Sequence, residues 1–113
     1  MEATAKLRFA RGSARKARLV LDQIRYKSVP EAQGILQFSR RAAAKPIGKL
    51  LASAVANAQV KEPKLDLSRV YVTEAMADSG PQMKRYMPRS HGRAFMIRKQ
   101  TCHIALEIKT IEE

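Results

Sequence analysis

Residues 78–109 read DSGPQMKRYMPRSHGRAFMIRKQTCHIALEIK, and this stretch decides how the rest of the chain is arranged. Its last part alternates between apolar and polar side chains, with the apolar ones at Cys102, Ile104, Leu106 and Ile108. Strict alternation over a short run predicts a β-strand with one buried face. An earlier run, from Arg69 to Met76, alternates in the same way, with Val70, Val72 and Met76 on its apolar side. We expect the two runs to pair as the flanks of a long hairpin.

The segment between these two strands, residues 78–99, is called the arm. No acidic residue follows Asp78 until Glu107. The cations in this gap are Lys84, Arg85, Arg89, Arg93, Arg98 and Lys99. Large apolar and aromatic residues are interleaved with them, at Met83, Tyr86, Met87, Phe95 and Met96. If the strands continue into the arm, about ten residues on each side at about 3.3 Å per residue would project about 30 Å from the body.

The composition of the arm predicts that an external polyanion orders it. An isolated two-stranded ribbon is only marginally stable in water, and repulsion among the cations loosens it further. Arginine forks bind phosphates, and aromatic or thioether side chains can contact bases and sugars. The alternative is a solvated charged loop. Exposed Tyr86, Met87, Phe95 and Met96 are unusual in such a loop, and they favour a binding role.

Upstream of the arm, the chain begins with a strand and a helix. From Ala3 to Phe9 apolar residues occupy every second position, which predicts a strand with one wet face. Ser13 is a good N-cap for a helix that runs to about Arg25. The buried face of this helix is expected to contain Ala14, Ala17, Val20, Leu21 and Ile24.

Two further helices follow. Ser28 and Glu31 form a capping-box pattern that predicts a second helix, with Ala32, Ile35 and Leu36 on its buried face. Ser39 is the expected N-cap of a third helix that extends to about Gln59, with Pro46 either bending it or marking its first turns. The buried face of the third helix is expected at Ala43, Ile47, Leu50, Ala54 and Ala58.

These elements predict an α+β fold, in which a three-stranded antiparallel sheet packs against three helices and a long β-hairpin arm protrudes. At 113 residues the chain has the size of one domain, 1–113. We expect residues 1–77 and 100–113 to form the globular body and 78–99 the extended basic arm.

Charge and composition restrict the function. Lys and Arg number 22 against 10 Asp and Glu, giving a net charge of +12, which favours a polyanionic partner. Apolar runs are far shorter than the roughly 18 residues of a membrane span, so we expect no membrane crossing. The first residues lack the pattern of a secretory signal, and a lone cysteine cannot form an internal disulfide, so we expect a cytoplasmic protein.

Catalysis finds little support in the sequence. Two histidines, one cysteine and scattered carboxylates give neither an activated nucleophile nor clustered metal ligands, so we expect no enzyme activity, no cofactor and no metal. Cys102 and His103 are adjacent, and strand alternation sends their side chains to opposite faces. Cys102 is expected in the core, and His103 is expected to hydrogen-bond at the sheet surface.

The residues of the arm and of the last strand also match a family pattern. Lys84 precedes Arg89-Ser90 and Gly92-Arg93, and His103-Ile104 follows after nine residues, with Leu106 and Ile108 at alternating positions. This spacing resembles the signature of the bacterial 50S ribosomal protein number twenty-two family. The resemblance extends to 13–18, 52–58 and Gly80-Pro81, and so covers nearly the whole chain. Departures from the family pattern are Ala14 for proline, Tyr26 for glycine, and Gln100-Thr101-Cys102 for Arg-Thr-Ser.

The resemblance implies a structural constituent of the large ribosomal subunit. It implies 23S rRNA and neighbouring large-subunit proteins as partners, a hairpin that lines the nascent-peptide exit tunnel, and contact with the nascent peptide. Together with the charge pattern it predicts rRNA contacts at Arg11, Arg15, Lys16, Arg18, Arg25, Lys84, Arg85, Tyr86, Arg89, His91, Arg93, Arg98 and Lys99. The hairpin tip in the tunnel is expected at Met83, Lys84, Arg85, Met87, Pro88 and Arg89.

Two other kinds of protein would fit parts of this sequence. A helix-turn-helix DNA-binding protein would also have two short helices with a brief connection. The second helix, however, begins without base-reading Arg or Asn, and the strongest basic segment lies elsewhere, so no DNA partner is expected. The other alternative is a structural protein that uses the hairpin for β-augmentation of a partner sheet.

Overall fold

A computed structural model of the chain describes residues 2–88, 92 and 94–110, with the backbone alone described at 87, 88 and 94–98. The strands and helices, in chain order, are β1 (Glu2–Arg11), α1 (Ala14–Ile24), α2 (Val29–Phe38), α3 (Ala44–Lys61), a short 3-10 helix (Leu67–Arg69), β2 (Val70–Ser79), β3 (Met83–Pro88), β4 (Ala94–Lys99) and β5 (Thr101–Thr110). None of the helices in these residues is long and apolar enough to span a membrane.

The body is an antiparallel sheet in the order β1-β5-β2, with the three helices packed on one face. The predicted α+β fold is therefore confirmed, and so is the pairing of the two late strands. Ile104, Leu106 and Ile108 of the central strand are buried against the helices. The α1 residues predicted to be buried are all buried, because the helical repeat turns them toward the sheet.

A bulge in β2 changes which of its residues face the core. Val70 and Val72 are buried as predicted, but Met76 is 50% exposed, so its predicted place on the apolar side is wrong. The pairing with β5 shifts between Val72 and Glu74. One extra residue on a strand reverses the alternation beyond it, so the buried positions become Ala75 and Ala77.

A similar irregularity occurs in β1. Ala3 and Ala5 are buried and Leu7 packs partly against the core, as the alternation predicts. The register with β5 shifts between Leu7 and Ala10. Phe9, at φ +58°, is consequently 61% exposed and lies away from the buried face on which the alternation placed it.

Only one of the three serines predicted as caps makes a side-chain hydrogen bond to the helix that it precedes. Ser13 accepts a hydrogen bond from the Lys16 backbone N–H at 3.2 Å. Ser28 precedes α2 without a side-chain capping bond, so the predicted capping box is wrong; its backbone instead bridges to Tyr71 in β2. Ser39 ends α2, and α3 begins only at Ala44.

The late start of α3 has a physical reason. Proline in a helix interior removes a hydrogen bond and clashes with the preceding turn, whereas it is tolerated in the first turn. A helix beginning after Ser39 would have placed Pro46 in its second turn; beginning at Ala44 places it in the first. Ile47, Leu50, Ala54 and Ala58 are buried as predicted. Ala43, at the N-cap, and Ile35 of α2 are only partly buried.

Strands β3 and β4 form a separate two-stranded sheet, called the ribbon. Residues 80–82 and Gln100 separate it from the body sheet. The molecule measures 65 × 24 × 18 Å and has a radius of gyration of 17.1 Å. A compact chain of this length would have a radius of gyration of about 13 Å. The ribbon thus makes the molecule markedly elongated.

Candidate nucleic-acid interface

The ribbon presents exposed cations without acidic side chains to neutralise them in the described part of the chain. Lys84, Arg85 and Lys99 are exposed, and Tyr86 is 75% exposed. Within the described part of the chain, none of these cations forms an ion pair. Arg85 donates one hydrogen bond from Nη1 to the Lys84 carbonyl oxygen at 2.9 Å. A guanidinium has five N–H donors, so most of them are available to a phosphate.

The register of the ribbon shows where the residues predicted for the tunnel tip lie along it. Met83 pairs with Lys99 and Lys84 with Arg98, whereas Pro88 pairs with Ala94 next to the connection between the strands. Met83, Lys84 and Arg85 therefore lie toward the body end of the ribbon. Met87 and Pro88 lie in β3 near the connection between the strands, and Arg98 lies in β4 opposite Lys84. The predicted contacts Arg89, His91 and Arg93 lie outside the described residues.

A small set of contacts fixes the ribbon to the body. The Gly80 N–H donates to the Thr101 carbonyl oxygen at 2.9 Å, and the Thr101 hydroxyl donates to the Pro81 carbonyl oxygen at 2.5 Å. A Cβ on Gly80 would lie 2.7 Å from Thr101 Oγ1 and 3.2 Å from His103 Nε2. Glycine fits here because the side chains of Thr101 and His103 occupy the space that a Cβ would need.

The basic face predicted on α1 divides into two groups. Arg15 and Lys16 are exposed, as is Arg11 at the end of β1, and the side chains of these three cations donate no hydrogen bond to any other described residue. Arg18 Nε instead donates to the Ala77 carbonyl oxygen at 3.0 Å, and Arg25 Nη2 to that of Ala75 at 2.6 Å. Arg25 also pairs with Asp22.

Sequence reasoning missed this second role of Arg18 and Arg25. β2 is an edge strand, and an edge strand presents backbone groups without a neighbouring strand. The two arginines supply donors to its outer carbonyls and thereby attach α1 to the sheet. The spacing of the two arginines in the sequence places both on one line of the helix. It could not predict that β2 would be the strand they contact.

Two acidic side chains of the sheet, Glu2 and Glu107, pair with Lys109 at the end away from the ribbon. Lys109 Nζ lies 3.2 Å from a Glu107 carboxylate oxygen and 3.3 Å from one of Glu2. Hydrogen bonding to Glu107, and then to Glu2, raises the pKa of Lys109. These ion pairs offset the charge of Lys109, whereas Lys84, Arg85 and Lys99 of the ribbon have no such partner among the described residues.

Cys102 and His103 occupy opposite faces of β5, as predicted. Cys102 is buried, and this burial raises the pKa of its thiol, which disfavours a reactive thiolate. The Phe9 backbone N–H donates to His103 Nδ1 at 3.1 Å, which confirms the expected hydrogen bond of His103 at the sheet surface.

A cationic ribbon on an α+β body is the geometry expected from the family resemblance. Comparison with known proteins decides whether the chain belongs to that family. The model of the family described as ribosomal protein L22p/L17e matches residues 5–109. The chain belongs to this family. It is 53% identical over 106 residues to large ribosomal subunit protein uL22 of Geobacter sulfurreducens, covering 94% of this chain and 95% of that protein. It is 50% identical over 112 residues to uL22 of Clostridium tetani, covering 99% of this chain and 100% of that protein.

Membership of the L22p/L17e family makes the protein a structural constituent of the large ribosomal subunit, and not an enzyme. Its place is the cytoplasmic ribosome. The structure shows what two of the departures from the family pattern do locally. Tyr26 has φ +64°, a left-handed conformation that favours the glycine expected there. Ala14 is the first residue of α1, a position where proline and alanine are both accommodated.

Proposed function

We propose that the protein binds 23S rRNA, supports assembly of the large subunit, and lines the nascent-peptide exit tunnel with its ribbon. One observation carries this proposal: the acid-free basic segment forms a slim ribbon that extends from a body with its own core, on a molecule 65 Å long. A neutral or basic partner would gain nothing from this concentration of exposed cations, whereas a polyanion would be attracted to it.

Counterion release supplies the driving force. Folded RNA brings phosphates close together, and Lys and Arg side chains that neutralise them release condensed ions into solution. The exposed cations of α1 and the ribbon can act in this way on different segments of the RNA. A protein that neutralises the phosphates of both segments stabilises the folded arrangement in which they lie close together. In this way it would support assembly of the subunit.

The shape of the ribbon suits a narrow space between RNA segments. Its six-residue strands extend about 20 Å, and paired strands lie about 4.8 Å apart. Tyr86, exposed on the ribbon, offers a ring for stacking on a base or for contact with a nascent peptide. Other surfaces of the body are available for contact with neighbouring large-subunit proteins. Phe38 and Val60 on the helices are 82% and 83% exposed.

A binding titration with matched variants tests the RNA function. The double variant Lys84→Ala with Arg85→Ala should weaken binding to large-subunit rRNA fragments. The control, Lys27→Ala with Lys64→Ala, removes the same charge from exposed positions of the body away from the ribbon and should weaken it less. Equal effects of the two pairs would contradict a ribbon-directed interface. Preferential sequence-specific binding to duplex DNA would support the helix-turn-helix alternative instead.

Directed hydroxyl-radical probing tests the tunnel location. An iron chelate is attached through Tyr86→Cys or, as a control, through Phe38→Cys, and the labelled protein is assembled into large subunits. The native Cys102 is buried and should remain unlabelled in the folded protein. We expect cleavage of the rRNA that forms the tunnel wall from position 86 and not from position 38. Cleavage confined to the outer surface of the subunit from position 86 would overturn the tunnel assignment.

A further inference from the structure

The outer face of the body sheet carries a shallow cleft that none of the predicted contacts includes. It has a volume of about 450 Å³ and lies at the ribbon end of the sheet. The side chains that characterise it are Lys6, Arg8, Phe9, Met76, Asp78 and His103. They come from all three strands, with His103 on the central one.

Phe9 is held open to solvent by its backbone. The bulge in β1 and the left-handed φ of +58° leave its ring 61% exposed on the outer face. The hydrogen bond from its N–H to His103 Nδ1 fixes this conformation. The two rings meet edge to face, with centroids 4.9 Å apart and planes at 79°. Non-glycine residues rarely adopt this backbone conformation, and such strained positions cluster at binding sites.

The charges around the cleft are arranged across the strands. Lys6 and Arg8 are exposed on β1, whereas Asp78 is exposed on β2, directly opposite His103 in register. A phosphate would be attracted to the β1 side and repelled from the β2 side. A carboxylate on the β2 side can accept hydrogen bonds from the exocyclic amine of a base.

We propose that this cleft binds one unpaired base of RNA, stacked on Phe9, with the adjoining phosphate at Lys6 and Arg8 and the base edge toward Asp78. Exposed aromatic rings on sheet faces bind unstacked bases in this way, because every base has a face that can stack. Asp78 favours a cytosine or adenine amine over uracil, which presents a carbonyl oxygen at the corresponding position. This inference rests on the proposed RNA binding and adds a site on the body, separate from the ribbon.

The experiment compares two exposed phenylalanines. Phe9→Ala and the control Phe38→Ala each remove one solvent-exposed ring, the second from α2 on the other side of the sheet. The probes are short single-stranded oligocytidylate and oligouridylate, and a transcript of large-subunit rRNA. We expect Phe9→Ala to bind oligocytidylate and the transcript about tenfold more weakly than wild type, a loss typical of one stacked base, and Phe38→Ala to be unchanged. Wild type should bind oligocytidylate more tightly than oligouridylate.

Salt dependence separates stacking from charge. The loss caused by Phe9→Ala should be the same at low and high salt, since a ring carries no charge. Lys6→Ala should instead reduce the dependence of affinity on salt. If Phe9→Ala lowers the melting temperature, Phe9→Leu replaces it in the binding measurements, because leucine keeps an apolar side chain without a ring. We expect Phe9→Leu to bind as weakly as Phe9→Ala.

The outcomes distinguish the two proposals. If Phe9→Ala and Phe9→Leu bind both RNAs as wild type does, while the ribbon variant at Lys84 and Arg85 binds weakly, the cleft does not bind a base and the RNA function stands. The same result would leave a protein neighbour as the occupant of the cleft. If wild type itself fails to bind rRNA, both proposals fall.

Discussion

At the scale of single residues, the two non-glycine positions with positive φ among the described residues have different causes. Phe9 lies in a strand bulge and contacts His103. Tyr26 lies in the turn after α1, where its N–H donates to the Val72 carbonyl oxygen at 2.8 Å and the Val72 N–H donates to the Lys27 carbonyl oxygen at 3.0 Å. This pair of bonds joins the turn to β2 and imposes the left-handed conformation, whatever residue stands there.

Replacing Tyr26 by glycine should therefore stabilise the protein. The side chain is 73% exposed and contributes little packing, while a left-handed conformation costs an L-residue about 1 to 2 kcal/mol. Glycine also loses more backbone entropy on folding, so we expect a net gain of about 1 kcal/mol in the free energy of unfolding, measured by urea titration. Tyr26→Ala, which removes the ring and keeps the strain, is the control. A gain of the same size in Tyr26→Ala would show that the ring, and not the backbone, is responsible.

Cys102 should make stability fall at alkaline pH. Burial raises the pKa of its thiol in the folded state, whereas an unfolded cysteine ionises at about pH 8.5. The folded state thus holds the proton more tightly, so this contribution to stability is complete below about pH 8.5 and is lost as pH rises through the folded pKa. Thermal melts of wild type and Cys102→Ala from about pH 7 upward should show the advantage of wild type shrinking above about pH 8.5. A constant difference between the two proteins would contradict this.

At the scale of secondary-structure elements, sequence periodicity located each helix and each strand of the body. It could not locate the interruptions within them. The bulges near Glu74 and Phe9 insert one residue without any glycine or proline to mark it, and each reverses the face of the residues that follow. The α3 start was set by Pro46, whose steric requirement outweighs the capping preference of Ser39. The candidate contacts on α1 were found from charge, but their partners in β2 depend on tertiary packing.

The edge of β2 provides a test of which α1 cations serve folding and which serve binding. Arg18→Ala removes a donor to the Ala77 carbonyl oxygen and should lower the free energy of unfolding by about 1 kcal/mol. Arg15→Ala, on an exposed position of the same helix, should change stability by less than about 0.5 kcal/mol. Arg15→Ala should instead weaken rRNA binding and lower its salt slope by about one.

Urea titration and filter binding on the same preparations measure both properties. If Arg18→Ala unfolds at the same urea concentration as wild type, the hydrogen bond from Arg18 to β2 contributes nothing measurable to stability. If Arg15→Ala destabilises as much as Arg18→Ala, the division of the α1 cations into two groups is wrong.

At the scale of the whole molecule, the buried core and the exposed cations of the ribbon belong to different regions. The buried core is confined to the three helices and to β1, β2 and β5, and no described ribbon side chain is part of it. The ribbon strands pair with each other and do not pack extensively on any helix within the described residues. The 65 Å length follows from this division, because a segment that buries nothing against the body has no reason to fold back on it.

This division predicts that one pair of variants affects opposite properties. Leu50→Ala, in the core at 6% exposure, should lower the free energy of unfolding by about 2 to 5 kcal/mol and leave the salt slope of rRNA binding unchanged. Lys84→Ala with Arg85→Ala should leave the melting temperature unchanged and lower the salt slope by about two, because two phosphate contacts are lost. For wild type, six phosphate contacts would reduce affinity about a thousandfold between about 50 and about 200 mM salt. Thermal melts and salt titrations of the three proteins measure both effects. A fall in melting temperature shared by the core and ribbon variants would mean that the ribbon contributes to the stability of the body, contrary to the packing observed.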